Sequence, residues 1–269
     1  HIAALERETG LALFERAGRR RIPTEAAHVL AARAREAVAA LREAEVAAQE
    51  IRGLRQGQLR VGASSTPGTY IVPRILGAFK QQHPGVDVQL DIADTREIED
   101  RLRTREVDVG VVGQYQASPD LALAPLGPDL LVGICAPAWP GPRERTRLRA
   151  FLEQPFIARK RGSSTREVLE TWLRARGWEL RPSMEFSSTE AVKQAVAAGL
   201  GVSVVSAATI TLELEAGLVD RPNLPGLPIL RRFDVALLRR RRPPPAAAAF
   251  LGLLMGAEGA AALVDDAGR

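Results

Sequence analysis

Cysteine occurs once in this 269-residue chain, histidine three times and methionine twice, and aromatic residues make up only 4%. Each shortage removes a class of function. A single thiol, Cys135, excludes an internal disulfide framework and suits a reducing compartment. It sits in an apolar run beside Ile134, so packing is its expected role rather than redox sensing. The histidines are His1, His28 and His83. His28 falls in a helical pattern and His83 precedes Pro84, so none is placed as the base that a serine or cysteine nucleophile requires. None forms a metal cluster with Cys135 at a familiar spacing. There is no Walker loop, and Gly199-Leu200-Gly201 stands at a helix end entering a strand, the wrong order for a dinucleotide fingerprint. The aromatics are too few and scattered for a platform that stacks single-stranded bases. No signal peptide, membrane span or internal repeat is read in the sequence. A non-enzyme without metal or cofactor is expected.

Arginine is what the chain does have. The net charge of +5 is modest, so the placement of charge says more than its sum. Ile2 and Leu5 share a helical face that Gly10 is placed to end, and Leu13 and Phe14 then supply an apolar anchor. Arg16, Arg19, Arg20 and Arg21 follow around Gly18, on a short turn between two helical patterns. Guanidinium groups at such a tip can grip phosphates with two prongs or enter a narrow minor groove. Taken alone, the cluster also fits a solvated charged turn.

Pro23 and Thr24 open a helical pattern that continues to about Leu54 without internal Gly or Pro. Leu30, Ala34, Ala37, Leu41, Ala44, Ala48 and Ile51 step by four and three residues, the spacing of a coiled-coil seam. The alternative is an amphipathic helix lying on its own domain. A helix of roughly thirty residues extends about 45 Å, longer than a small domain covers, which favours dimerisation through this helix.

Beyond Gly57 the pattern changes. Val86 to Ile92, Val107 to Val112, Leu130 to Ala136, Val202 to Val205 and Phe233 to Leu238 read as strands, after a first strand beginning at Leu59. Tyr70 to Gln82, Glu97 to Arg105, Arg166 to Arg176 and Glu190 to Ala198 read as helices, so a mostly parallel α/β sheet is expected. Four polar segments recur at helix starts: Ser64 to Pro67, Asp94 to Glu97, Ser164 to Glu167 and Ser187 to Glu190. Three of these read as capping boxes, and all four place hydroxyls and free N–H groups at one sheet edge, where ligands of open α/β folds bind. The residues after Met255, with Gly256, Gly259 and Gly268, read as a poorly ordered tail.

These motifs resemble the LysR-type transcriptional regulators. HIAALERETGLALFERAGRRRIPTEAA is similar to the end of the family's recognition helix and its wing, and GQLRVGASSTPGTYIVPRIL to the start of its effector domain. REVDVGVVG and STEAVKQAVAAGLGVSVVS match two further stations, and the resemblance runs to about Met255, nearest in appearance to the CbbR and CysL branch. It implies an α/β fold: a partial winged helix-turn-helix over 1–23, a linker helix over 24–56, and two Rossmann-like subdomains similar to type 2 periplasmic binding proteins. The first subdomain is expected over 57–134 and 237–256, the second over 135–236, and the tail over 257–269. About thirty residues of the family's DNA-binding domain are expected to precede His1 in the parent protein.

The resemblance further implies contacts to double-stranded promoter DNA from His1, Arg16, Arg19, Arg20, Arg21 and Thr24. It implies a homodimer or homotetramer in the cytoplasm, contact with RNA polymerase, and a small-molecule effector. Ser64, Ser65, Thr66, Thr95 and Gln114 are expected to face that effector from the first subdomain, and Arg159, Ser163, Ser164, Thr165 and Ser187 from the second. Arg159, Lys160 and Arg161 make an anionic metabolite the expected ligand, although Arg161 fits a solvent-facing role equally well. The rival reading is a transport-type solute-binding protein, which shares such a cleft but leaves the arginine cluster and the seam unexplained.

Overall fold

The computed structural model describes residues 1–18, 20–52, 57–113, 118–139 and 148–269. The chain divides into two units, His1–Arg52 and Gly53–Arg269.

In the first unit, α1 (Ile2–Thr9) ends where Gly10 takes a left-handed φ of 69°. The arginine segment is more regular than the turn expected of it. β1 (Phe14–Ala17) and β2 (Arg20–Pro23) pair as an antiparallel hairpin. The hairpin base is tied on both sides: the Glu6 carboxylate accepts from Leu13 N–H at 2.7 Å, and Thr24 Oγ1 donates to Ala12 O at 2.8 Å. Thr24 Oγ1 also accepts from Ala27 N–H at 3.2 Å, which caps α2 (Glu25–Arg52). This 28-residue helix extends about 42 Å. Along the expected seam Leu30 is half-buried, Ala34, Ala37 and Ala44 are exposed, and Leu41 is 68% exposed. The side chains of Ala48 and Ile51 lie outside the described residues, as does Leu54.

The second unit runs β3 (Gly57–Ser64), α3 (Ser65–Tyr70), α4 (Val72–Gln82), β4 (Val86–Ala93), α5 (Thr95–Arg103), β5 (Val109–Gly113) and β6 (Leu121–Ile134). It continues with α6 (Leu148–Leu152), β7 (Ile157–Arg159), α7 (Ser164–Arg174), β8 (Met184–Phe186), α8 (Thr189–Ala197) and β9 (Ser203–Ser206). It closes with α9 (Thr211–Glu215), β10 (Ile229–Leu238) and α10 (Pro245–Gly268). Six strands form one sheet in the order β4-β3-β5-β10-β6-β9, and β7 pairs with β8.

That sheet is mixed, which corrects the mostly parallel expectation. β3 is parallel to β4 and β5, as helical crossovers require, but β10 is antiparallel to β5 and β6, and β6 to β9. The reason is that β6 and β10 are long ribbons serving two cores. Ala122 of β6 and Val235 and Leu237 of β10 pack with the first lobe around Val61, Phe79 and Phe250, and Leu121 packs with Leu102, Val107 and Ala236. Leu131 and Ile229 pack with Cys135, Phe151, Phe156 and Leu173 in the second lobe. β6 begins nine residues before the strand read from sequence, because Pro125, Gly127 and Pro128 disguise it as a loop. The β6–β10 register shifts between Phe233 and Asp234, leaving Leu126 unpaired as a bulge.

The tail is also a correction. Residues 257–268 are helical, and Ala260, Leu263 and Ala267 are buried in the first core. Arg239 clamps the end of α10 through Asp266 at 2.8 Å. By length and composition α10 could cross a membrane. Gly256, at φ 79° and ψ 164°, breaks it into two parts, each about 17 Å long against a hydrocarbon core of about 30 Å. Burial of Phe250, Leu251 and Leu263 against the sheet accounts for its apolar face.

Candidate functional site

Of the four polar helix starts, those of α3, α5 and α7 line one cavity, but they do not serve for capping. At the N-termini of α3, α5, α7 and α8 no side chain makes a cap hydrogen bond, and the cap positions of α7 and α8 are Ser163 and Ser188, one residue off the expected boxes. The polar groups have other partners. Ser64 Oγ accepts from Gly113 N–H at 3.0 Å, and Asp94 pairs with Lys160 Nζ at 2.6 Å. Ser164 Oγ and Thr165 Oγ1 accept from Arg231 Nη1 at 3.4 and 3.1 Å.

Ser64, Ser65, Thr66, Thr95, Arg159, Ser163, Ser164 and Thr165 line one cavity, together with Ala93, Asp94 and Gly162. Eight of the ten residues expected at the effector site are therefore brought together. Ser187 is not in that lining: its side chain is exposed, and it enters the network through its backbone carbonyl, which accepts from Arg159 Nη2 at 2.9 Å. Gln114 lies outside the described residues. Arg161 is exposed, while Lys160 reaches Asp94.

Arg159 leaves the end of β7 and is 5% exposed. Its carbonyl accepts from Arg166 Nη1 at 3.0 Å, and its Nη1 donates to Thr189 Oγ1 and, at 3.4 Å, to Ser65 Oγ. Burial pushes its pKa down; Asp94 opposes that shift, and the positive charge of Arg231 adds to it. Arg231 is 2% exposed, and burial lowers its pKa against the opposing carboxylate of Asp129. Arginine stays protonated in proteins, so both directions reflect positive charge held with little solvation. Among the described residues, three buried donors at this site have no hydrogen-bond partner: Arg159 Nε, Arg231 Nη2 and Thr95 Oγ1. Three cations, Arg159, Lys160 and Arg231, meet two carboxylates, Asp94 and Asp129. The site has donors to spare and a surplus of positive charge.

Sequence reasoning does not reach Arg231 or Asp129, and it takes Thr189 only as part of the Ser187–Glu190 segment. The available signal for Arg231 was a run of two arginines, Arg231 and Arg232, between Leu230 and Phe233, where strand alternation turns one of them inward. His83, by contrast, ends α4 and packs on Phe79 with ring centroids 4.8 Å apart.

In the first unit, the hairpin register sets Arg16 directly opposite Arg21, and Ala17 opposite Arg20. Like charges facing each other across strands destabilise a hairpin unless an anion intervenes. His1 is exposed at the start of α1, and the Thr24 hydroxyl is engaged within the unit. Arg19 lies outside the described residues.

A two-lobed α/β unit with a polar cavity at its strand ends is an effector-binding domain similar to type 2 periplasmic binding proteins, and comparison with known proteins gives the family. Residues 52–258 match the LysR substrate binding domain. The chain is 35% identical over 233 residues to the RuBisCO operon transcriptional regulator of Allochromatium vinosum, covering 86% of this chain and 77% of that protein. It is 38% identical over 237 residues to the HTH-type transcriptional regulator CbbR of Sinorhizobium medicae, covering 86% and 74%. The regulatory domain of CcmR from Synechocystis PCC6803, solved in complex with 2-PG, superposes with a TM-score of 0.69 at 31% identity, covering 74% of this chain and 96% of that domain. The chain belongs to the LysR family of transcriptional regulators, on the CbbR side of it. Its relatives are regulators rather than enzymes.

Proposed function

We propose that the chain is a cytoplasmic transcriptional regulator whose grip on promoter DNA is set by a small anion bound in the cavity of the second unit. One observation carries the reading: Arg159 Nε, Arg231 Nη2 and Thr95 Oγ1 are buried donors without partners beside a surplus of positive charge. Leaving such groups unsatisfied costs about 1–3 kcal/mol each, and more when charged. An anion drawn to the mouth of this cavity, where Thr95 and Arg159 line the wall and Arg231 stands behind Ser164 and Thr165, offsets part of that cost, and the neighbouring hydroxyls complete its shell. Binding across both lobes favours the closed arrangement, and an effector shifts such an equilibrium only by its differential affinity for the two states.

DNA is gripped by the first unit, where Arg16, Arg20 and Arg21 of the hairpin, with Arg19, His1 and Thr24, meet the backbone. The exposed seam of α2 pairs two copies, and two such dimers form a tetramer whose DNA-binding units respond to closure and change contact with RNA polymerase. The family relationship favours this reading over the transport-type rival.

A thermal-shift screen tests the effector class. Inorganic phosphate, sulfate and small carboxylates raise the melting temperature of the chain, and neutral polyols of similar size do not. Stabilisation by the neutral compounds alone overturns the anionic effector.

A further inference from the structure

The inner cavity has an internal volume of about 10 Å³, room for one water molecule. Sites for small organic ligands usually offer about 300–1,000 Å³. Beside it lies a groove of about 650 Å³, and the two share Thr95, Gly162 and Ser164. The unpartnered Thr95 hydroxyl, on a side chain 7% exposed, sits where they join. The groove is not another polar nest. Val168 and Trp172, one helical turn apart on α7, line it with Ile229 and Leu230 at the start of β10. Leu230 is 68% exposed, a large apolar side chain left in the open beside a charged cavity. Arg176 lies 3.5 Å from the centre of the Trp172 ring, which holds the ring in place. Arg96, Arg174 and Arg176 line the groove against one carboxylate, Glu167, and Arg96 has no ion-pair partner among the described residues.

We propose that the effector site is bipartite. The acidic head of the ligand sits at the mouth of the inner cavity, beside Thr95 and Ser164 where it opens into the groove, and its larger body, an apolar or planar organic group, lies in the outer groove against Val168, Trp172 and Leu230. The inference rests on the anion-binding reading of the cavity and goes further in assigning a second half to the ligand. The head supplies attraction common to many anions, and the groove supplies selection among them. Trp172 and Leu230 are then specificity-determining residues, with no role in holding the head group.

Calorimetric titration of the whole chain with inorganic phosphate, phenyl phosphate and phenol separates the two halves. Phenyl phosphate binds at least about tenfold tighter than inorganic phosphate, as expected when a ring leaves water for an apolar surface. Leu230→Ser removes most of that advantage and leaves the affinity for inorganic phosphate within about twofold. Trp172→Ala does the same, and the exposed position of Leu230 keeps the test sound if loss of the tryptophan unfolds the second core. Equal affinity for the two phosphates overturns the groove and leaves the anion site standing. Phenol binding as tightly as phenyl phosphate overturns the bipartite arrangement. Failure of both phosphates to bind overturns the groove and the anion site together.

Discussion

Arg231 on β10 stands directly opposite Asp129 on β6 and donates to it from Nε at 2.6 Å, with both side chains almost fully buried. Ser206 Oγ donates to the other carboxylate oxygen at 2.6 Å, and Arg231 reaches the start of α7 through Nη1. One ion pair thus joins the two ribbons that serve both lobes to the wall of the cavity.

Removing one partner of such a pair strands the other. Arg231→Met is expected to cost about 3–5 kcal/mol in urea unfolding, because the Asp129 carboxylate stays buried without its counter-ion. The double variant Asp129→Leu/Arg231→Met recovers a substantial part of the loss. A double variant as unstable as the single one contradicts this account.

Gly113 tests the close approach of β5 to the start of α7. A Cβ at this position collides with Ser164 Oγ, so a methyl group separates β5 from α7 or displaces the Ser164 side chain. Gly113→Ala weakens phosphate binding at least about tenfold in calorimetry, a change of about 1.4 kcal/mol. Unchanged affinity shows that closure at this contact is not needed for binding.

Asp120 reports on acid stability. Hydrogen bonds from Arg103 and Ser118 hold its carboxyl down to about 2, although burial opposes the shift. A depressed folded-state pKa gives stability that is present above the ordinary carboxylate range and lost as pH falls through about 2. Asp120→Asn lowers the melting temperature at pH 7, and the difference from the unsubstituted chain shrinks between pH 5 and pH 2. A difference that stays constant over that range rules out this linkage.

The terminal helix contributes to the first core. Leu263 is buried there, so Leu263→Ala is expected to cost about 2–5 kcal/mol in urea unfolding. A loss below about 0.5 kcal/mol, the usual range for surface changes, means that residues 257–268 do not hold the core.

Much of the site was legible because hydroxyl-rich helix starts recur after strands, and the α/β pattern sends those starts to one sheet edge. What the sequence hid were side chains defined by their partners. Ser64, Asp94 and Ser164 look like helix caps until Gly113, Lys160 and Arg231 are seen to claim them. Arg231 resembles any strand arginine until Asp129 appears opposite it. Its prolines disguise the first half of β6, and the glycines of α10 signal disorder unless a core covers the helix between them. The sequence shows the charge of the hairpin, but the pairing that sets Arg16 against Arg21 is a matter of register.

Coupling between the anion and DNA is the central claim, and the Ser65→Ala/Thr66→Ala variant tests it most directly. Fluorescence anisotropy measures the affinity for promoter DNA at fixed salt, with and without a stabilising anion. The account predicts that the anion changes DNA affinity in the unsubstituted protein, and that the variant keeps basal affinity while losing the response. DNA affinity indifferent to the anion in the unsubstituted protein, or a variant that loses basal affinity and response together, contradicts it.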